Sequence, residues 1–169
     1  MPPVVSLIGK ANSGKTTFLE QLIPALTGRG LRVGTIKHHV HGFTMDQPGK
    51  DTWRHKQAGA SVVALSSPTG VGIIRDTDHD LGVEELVSRY YGEVDLVLTE
   101  GYKRGPAPKI EIFRSTVHDH PLAQRDESWL AYVSDLPLTG CGLPVFRLED
   151  ADSVAGFLVA TFRLTAHRP

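Results

Sequence analysis

Short runs of β-branched and aliphatic residues alternate along this chain with stretches whose apolar positions recur at helical spacing. Val4–Ile8 is a compact apolar run that predicts a strand. Thr16–Leu26 follows with Phe18, Leu19, Leu22, Ile23 and Leu26 on one helical face, the period of an amphipathic helix, and Gly28 and Gly30 mark its end. Arg32–Ile36 predicts a second strand. His38–Pro48 has no period and reads as a loop, and Lys50–Ala58 reads as a helix. Ser61–Leu65 and Gly72–Arg75 predict strands paired through the Pro68-Thr69-Gly70 turn. A helix is expected over Val83–Tyr91. Val94–Thr99 is almost continuously apolar, as a strand covered on both faces must be. Ile110–Phe113, Leu130–Val133 and Val145–Leu148 add strands, and Ser153–Leu164 closes the chain as an amphipathic helix. Strands and helices alternating in this way predict an α/β fold with a mainly parallel sheet, helices on both faces and antiparallel strands added at the edges. Ligands of such sheets sit at the carboxyl ends of the strands.

Composition narrows the class without changing that picture. With 169 residues, one domain spanning 1–169 around one core is expected. A formal net charge of -1 lacks the basic excess of a nucleic-acid binder. Cys141 is the sole cysteine, which excludes an intramolecular disulfide and a cysteine metal cluster and fits a reducing compartment. The start Met1-Pro2-Pro3-Val4 has no basic segment leading into an apolar one, and no apolar run approaches membrane-spanning length. The expected location is the cytoplasm, with no membrane partner.

Gly9-Lys10-Ala11-Asn12-Ser13-Gly14-Lys15-Thr16 matches G-x-x-x-x-G-K-[ST], the phosphate-binding loop. Its chemistry requires that spacing. Successive backbone N–H groups must turn inward around a phosphate, and Gly9 and Gly14 allow the necessary dihedrals and close approach. The loop opens into a helix whose N-terminus adds partial positive charge. Lys15 is expected on the β- and γ-phosphates and Thr16 on Mg²⁺. Lys10 has two readings: a solvated loop lysine, or the extra lysine of the deviant Walker A loop in SIMIBI dimers, which reaches the nucleotide across the dimer.

A second acid should hold the magnesium shell. Glu100 leaves the best apolar strand at the end where the phosphates belong, whereas Asp95 enters at the opposite end. Glu100 is therefore the expected partner of Thr16, with Gly101 allowing close approach to the γ-phosphate. The loop Lys37-His38-His39-Val40-His41 follows the second strand. Three histidines in four residues suggest a metal site, but a loop supplies the remaining ligands poorly, and a segment that holds an anionic partner fits better. Asp46 or Asp51 is expected to take part in magnesium or water positioning. Lys50–Arg54 and Lys103–Lys109 place further basic residues where anionic ligands would bind. No Asn-Lys-x-Asp tetrad selects guanine. Asp135, after Leu130–Val133, is placed either to read the base or to cap a turn before Pro137, and the residues leave GTP and ATP undecided.

Taken together, Gly-x-x-x-Ser-Gly-Lys-Thr-Thr, Leu22-Ile23-Pro24, Ile36-Lys37-His38, Asp46-x-Pro48-Gly49-Lys50-Asp51, Glu100-Gly101-Tyr102-Lys103 and Ser134-Asp135 resemble the MobB family. These are adapter proteins of molybdopterin-guanine dinucleotide biosynthesis. The likeness runs to about Asp135. It implies a P-loop NTPase fold, a GTP- and Mg²⁺-binding homodimer with weak GTPase activity, and assistance to a MobA-type guanylyltransferase that joins GMP to molybdopterin. It maps the nucleotide site onto Gly9–Thr17 and Glu100, with Gly101, Lys103 and Asp135 beside it, and the basic loop onto Lys37–Asp51, including His38, Asp46, Lys50 and Asp51. Thr16, Glu100 and Asp46 are the implied metal residues. His39 and Val40 depart from the family's usual pair, which weakens a zinc reading further. A P-loop small-molecule kinase is the rival, but Arg75, Arg89, Arg104 and Arg114 are scattered rather than gathered into a lid.

Overall fold

In the computed structural model, residues 1–39 and 41–166 are described. The chain divides into two compact units, Met1–His38 with Val83–Pro169, and His39–Gly82.

The larger unit is built on six parallel strands. β1 (Val4–Ile8) leads through Gly9–Gly14 into α1 (Lys15–Thr27), and β2 (Val33–Lys37) follows. After the intervening unit come α3 (Val83–Tyr90), β5 (Leu96–Glu100), β6 (Lys109–Phe113), β7 (Trp129–Ser134), β8 (Val145–Arg147) and α4 (Ala151–Phe162). The strand order is β2-β5-β1-β6-β7-β8. β1 thus lies between β5 and β6, with Leu7 beside Glu100 and Ile8 beside Glu111, so the exits of three strands meet at the phosphate loop.

Strand periodicity explains how both faces are covered. Val5 and Leu7 of β1, Leu96 and Leu98 of β5, and Ile110 and Ile112 of β6 pack with Phe18, Leu22 and Leu26 of α1 and Val154 and Leu158 of α4. On the opposite face, Ile36 and Val97 pack with Val87 of α3. There Tyr91 Oη donates to the carbonyl of Thr35 at 2.6 Å. Asp150 caps α4, accepting from the Ser153 N–H at 3.1 Å.

The smaller unit carries α2 (Asp51–Gln57) and the hairpin of β3 (Val62–Ser67) and β4 (Gly70–Arg75). The antiparallel strands expected at the sheet's edges form this separate two-stranded sheet instead. Pro68-Thr69 makes the turn, and the strands run two residues closer to it than the sequence suggested, because Ser66 and Ser67 carry no apolar signal. Lys56 Nζ ties α2 to the hairpin, donating to the carbonyl of Ala60 at 2.8 Å and to Asp76 at 2.6 Å. No helix among the described residues is long and apolar enough to cross a membrane.

Candidate nucleotide-binding site

The loop at the end of β1 has the backbone its glycines allow. Gly9 (φ 151°), Asn12 (φ 59°) and Gly14 (φ 93°) all have positive φ, and the chain reverses there before α1 begins. A Cβ on Gly9 would lie 2.5 Å from the backbone oxygen of Ile112 and 2.6 Å from Ser13 Oγ. Ser13 is buried, and its Oγ has no hydrogen-bond partner among the described residues. An unpaired buried hydroxyl costs free energy, so this atom fits a cradle built to receive an oxygen-rich group. Lys15 Nζ lies over the loop, donating to the carbonyl of Lys10 at 2.9 Å and of Gly9 at 3.4 Å. Burial lowers the pKa of Lys15 below the ordinary lysine value, and the nearby charges of Lys103 and Lys37 add to this against the pull of Glu100. An anion in the loop favours the charged form and opposes this lowering.

Opposite the loop, Thr16 Oγ1 donates to Glu100 Oε2 at 3.0 Å. The Glu100 side chain is 14% exposed and pairs on its other side with Lys37 Nζ at 3.4 Å. Hard oxygens from a threonine and a carboxylate, brought together at a phosphate loop, are the donor set magnesium takes. Behind them His38 N donates to the Glu100 carbonyl at 3.1 Å, and Gly101 N to the Leu7 carbonyl at 3.3 Å. Gly101 (φ 114°) and Tyr102 (φ 51°) turn the chain sharply, and the Tyr102 ring packs on His38 with centroids 4.6 Å apart. The structure thus brings Lys15, Thr16, Lys37, His38, Glu100 and Gly101 together around one loop, with Lys103 close enough to act on the Lys15 charge.

Other expected residues take different places. Lys10 Nζ donates to the carbonyl of His120 at 2.6 Å, and His118 Nε2 lies 2.6 Å from the carbonyl of Ala11. The segment after β6 therefore rims the outside of the phosphate loop, which the sequence reading missed. Asp135 accepts from Ser115 N at 2.8 Å and 3.1 Å and from Ser115 Oγ at 3.0 Å. These bonds hold the turn that leaves β6, while the turn before Pro137 is bonded by Ser134 Oγ, which accepts from Leu136 N at 3.0 Å. Asp46, Lys50 and Asp51 belong to the 39–82 unit. There Asp46 Oδ1 accepts from Gln47 N at 2.8 Å, Lys50 is the N-cap residue of α2, and Asp51 lies 3.9 Å from Arg54. His39 and His41 stack edge-on with centroids 5.7 Å apart. No group of three metal-ligating His, Cys, Asp or Glu side chains occurs among the described residues.

Residues 4–135 match the family described as MobB, molybdopterin guanine dinucleotide synthesis protein B. The chain belongs to the MobB family. It is 40% identical to the molybdopterin-guanine dinucleotide biosynthesis adapter protein of Haemophilus influenzae over 80% of this chain and 76% of that one. The Escherichia coli adapter protein is 34% identical over 94% of this chain and 93% of its own. The crystal structure of Bacillus subtilis MobB superposes with a TM-score of 0.75 at 31% identity, covering 98% of this chain and 99% of that one. A crystal structure of molybdopterin-guanine biosynthesis protein B gives 0.73 at 28% identity, over 94% and 99%. The architecture is thus the P-loop NTPase fold as MobB proteins carry it, and the Thr16–Glu100 contact lies within the part that matches the family.

Proposed function

We propose that this chain is a GTP-binding accessory protein of molybdenum cofactor biosynthesis, assisting the attachment of GMP to molybdopterin. The carrying observation is the convergence of Lys15, Thr16 and Glu100 on the loop Gly9–Gly14 in a MobB-family chain. Backbone N–H groups of the loop and the start of α1 hold the phosphates, and Lys15 neutralises the β- and γ-oxygens. Thr16 and Glu100 hold Mg²⁺, which when bound supplies positive charge to the same oxygens. Hydrolysis on this scaffold is slow, and its catalysis rests on positioning and charge stabilisation. Lys37, His38 and Lys103 form the basic rim at which the anionic pterin substrate is received.

The protein works as a cytoplasmic homodimer beside a MobA-type guanylyltransferase. The β3–β4 hairpin supports the dimer. Val62, Val71 and Ile73 share one of its faces and are 53%, 64% and 56% exposed, and a lone two-stranded sheet is marginal without a partner surface. A second copy offers the same apolar face in return. Replacing Val71 and Ile73 with lysine should convert a dimer to a monomer in sedimentation. A wild-type monomer at high concentration would remove the dimer from this reading.

The adapter role is tested by reconstituting guanine dinucleotide cofactor with the guanylyltransferase, molybdopterin and GTP. Adding this protein should raise the rate or yield, and its Lys15→Ala variant should not. Equal yields with and without the wild-type protein would refute it.

A further inference from the structure

Beside the phosphate loop lies a cleft of about 180 Å³ lined by Gly14, Thr17, Phe18, Gln21, Arg114, Leu148 and Glu149. Thr17 and Gln21 stand one turn apart on α1, directly after the residues that hold the phosphates. Arg114 leaves β6, and its guanidinium packs so close to Gly14 that a Cβ there would lie 3.1 Å from Nη2. Leu148 and Glu149 follow β8 and form the far wall. The cleft is continuous with the loop through Gly14, has an apolar floor in buried Phe18 and half-buried Leu148, and contains a single carboxylate. A planar heterocycle attached to a phosphate chain has the shape and the polarity to fill it.

We propose that this cleft takes the base and ribose of the bound nucleotide, and that Glu149 selects guanine there. The inference rests on the reading of Gly9–Thr17 as a triphosphate site and adds the base to it. Guanine presents two adjacent donors, N1–H and the 2-amino group. An ionised carboxylate is acceptor-only, with about four lone-pair sites, and meets both. Adenine puts a ring acceptor against the carboxylate and is rejected, and xanthine replaces one donor with an oxygen and is rejected too. Asp135, for which base reading was one of two expectations, accepts three hydrogen bonds from Ser115. Glu149 pairs with Arg147, whose Nε donates to Oε1 at 2.6 Å. That leaves acceptor sites on the carboxylate, and its own backbone N–H and the Arg147 bond hold its pKa below the usual range. Arg114 walls the cleft on the loop side with a planar cation, which favours the face of any base.

The test is calorimetric titration of the intact protein with GTP, XTP, ATP and inorganic tripolyphosphate, each with Mg²⁺. Wild type should bind GTP more tightly than XTP or ATP. Glu149→Gln should weaken GTP roughly ten- to a hundredfold, the size of a lost charged hydrogen-bond pair. It should strengthen XTP, because the amide offers one acceptor and one donor, and leave tripolyphosphate unchanged. Gln21→Trp, which fills the cleft from α1, should weaken all three nucleotides and spare tripolyphosphate. An unchanged GTP-to-XTP ratio in Glu149→Gln, or full GTP affinity in Gln21→Trp, overturns the proposal. Wild type that fails to bind even tripolyphosphate would instead refute the triphosphate site beneath it.

Discussion

Glu111 carries a prediction that can be worked through in numbers. It sits on β6 beside Ile8, it is 1% exposed, and its carboxylate is the acceptor for two donors. Oε1 accepts from Leu122 N at 2.6 Å and Oε2 from Trp129 Nε1 at 3.2 Å. Removing the carboxylate leaves two donors without their partner, Trp129 Nε1 buried and Leu122 N half-buried. At about 1–3 kcal/mol for each, Glu111→Ala should cost on the order of 2–6 kcal/mol, a large part of a typical domain's ~5–15 kcal/mol. Glu111→Gln keeps the volume and one acceptor, so it should cost about half as much. Burial raises the pKa of Glu111 above its ordinary 4.5, although the two hydrogen bonds and the charges of Lys10 and Lys103 pull the other way. The native state therefore binds this proton more tightly than the unfolded chain does. Stability from this group is fully present below the unfolded pKa and is lost as pH rises through the folded one. Urea unfolding of wild type and Glu111→Gln from pH 4 to 9 reads this directly. The gap between the two should be widest at the acid end and narrow as pH rises. Parallel curves, or a gap that widens with pH, would refute the assignment. The site should feel the same change, because Leu122 ends the segment whose His118 and His120 contact Ala11 and Lys10 of the phosphate loop.

Three further outcomes follow from single contacts. Gly9→Ala places a Cβ 2.5 Å from a backbone oxygen at φ 151°, so it should destabilise by ~1–3 kcal/mol and abolish tripolyphosphate binding in the same titration. Gly34→Ala drives a Cβ to 2.4 Å from the Tyr91 ring; a thermal melt should show a loss of ~1–3 kcal/mol with nucleotide affinity intact, because the contact is on the α3 face. Asp150→Ala removes the cap on Ser153 N and should cost ~1 kcal/mol in urea unfolding without altering the pH dependence set by Glu111.

The sequence made the phosphate loop and the direction of β5 legible for separate physical reasons. The loop's glycines and lysine are demanded by local backbone geometry, so spacing alone identifies them. Glu100 was assigned by strand polarity: Asp95 and Glu100 bracket one apolar run, and only the exit end of a parallel strand faces the loop. The structure places Glu100 Oε2 3.0 Å from Thr16, as that polarity requires. What stayed hidden depends on strand order. Glu111 and Arg114 acquire meaning only because β6 lies against β1, and nothing in residues 4–14 announces that neighbour. A carboxylate alternating into a buried β6 face was the available signal for Glu111. Asp135 shows the converse: its position one residue past β7 suited base reading or capping equally, and its bonds to Ser115, twenty residues away, belong to neither local pattern. The hairpin was found but set slightly short, since Ser66 and Ser67 are held by pairing with Val71 and Gly70 rather than by burial.

The central claim is that Lys15, Thr16 and Glu100 form one magnesium-triphosphate site. The most direct measurement is titration of GTP into wild type, Lys15→Ala and Glu100→Gln, with Mg²⁺ and with EDTA. Wild type should bind GTP with Mg²⁺ and more weakly in EDTA, Lys15→Ala should lose binding in both, and Glu100→Gln should lose the difference between them. Wild-type affinity that is indifferent to Mg²⁺, or a Lys15→Ala variant that binds GTP as wild type does, would contradict the account.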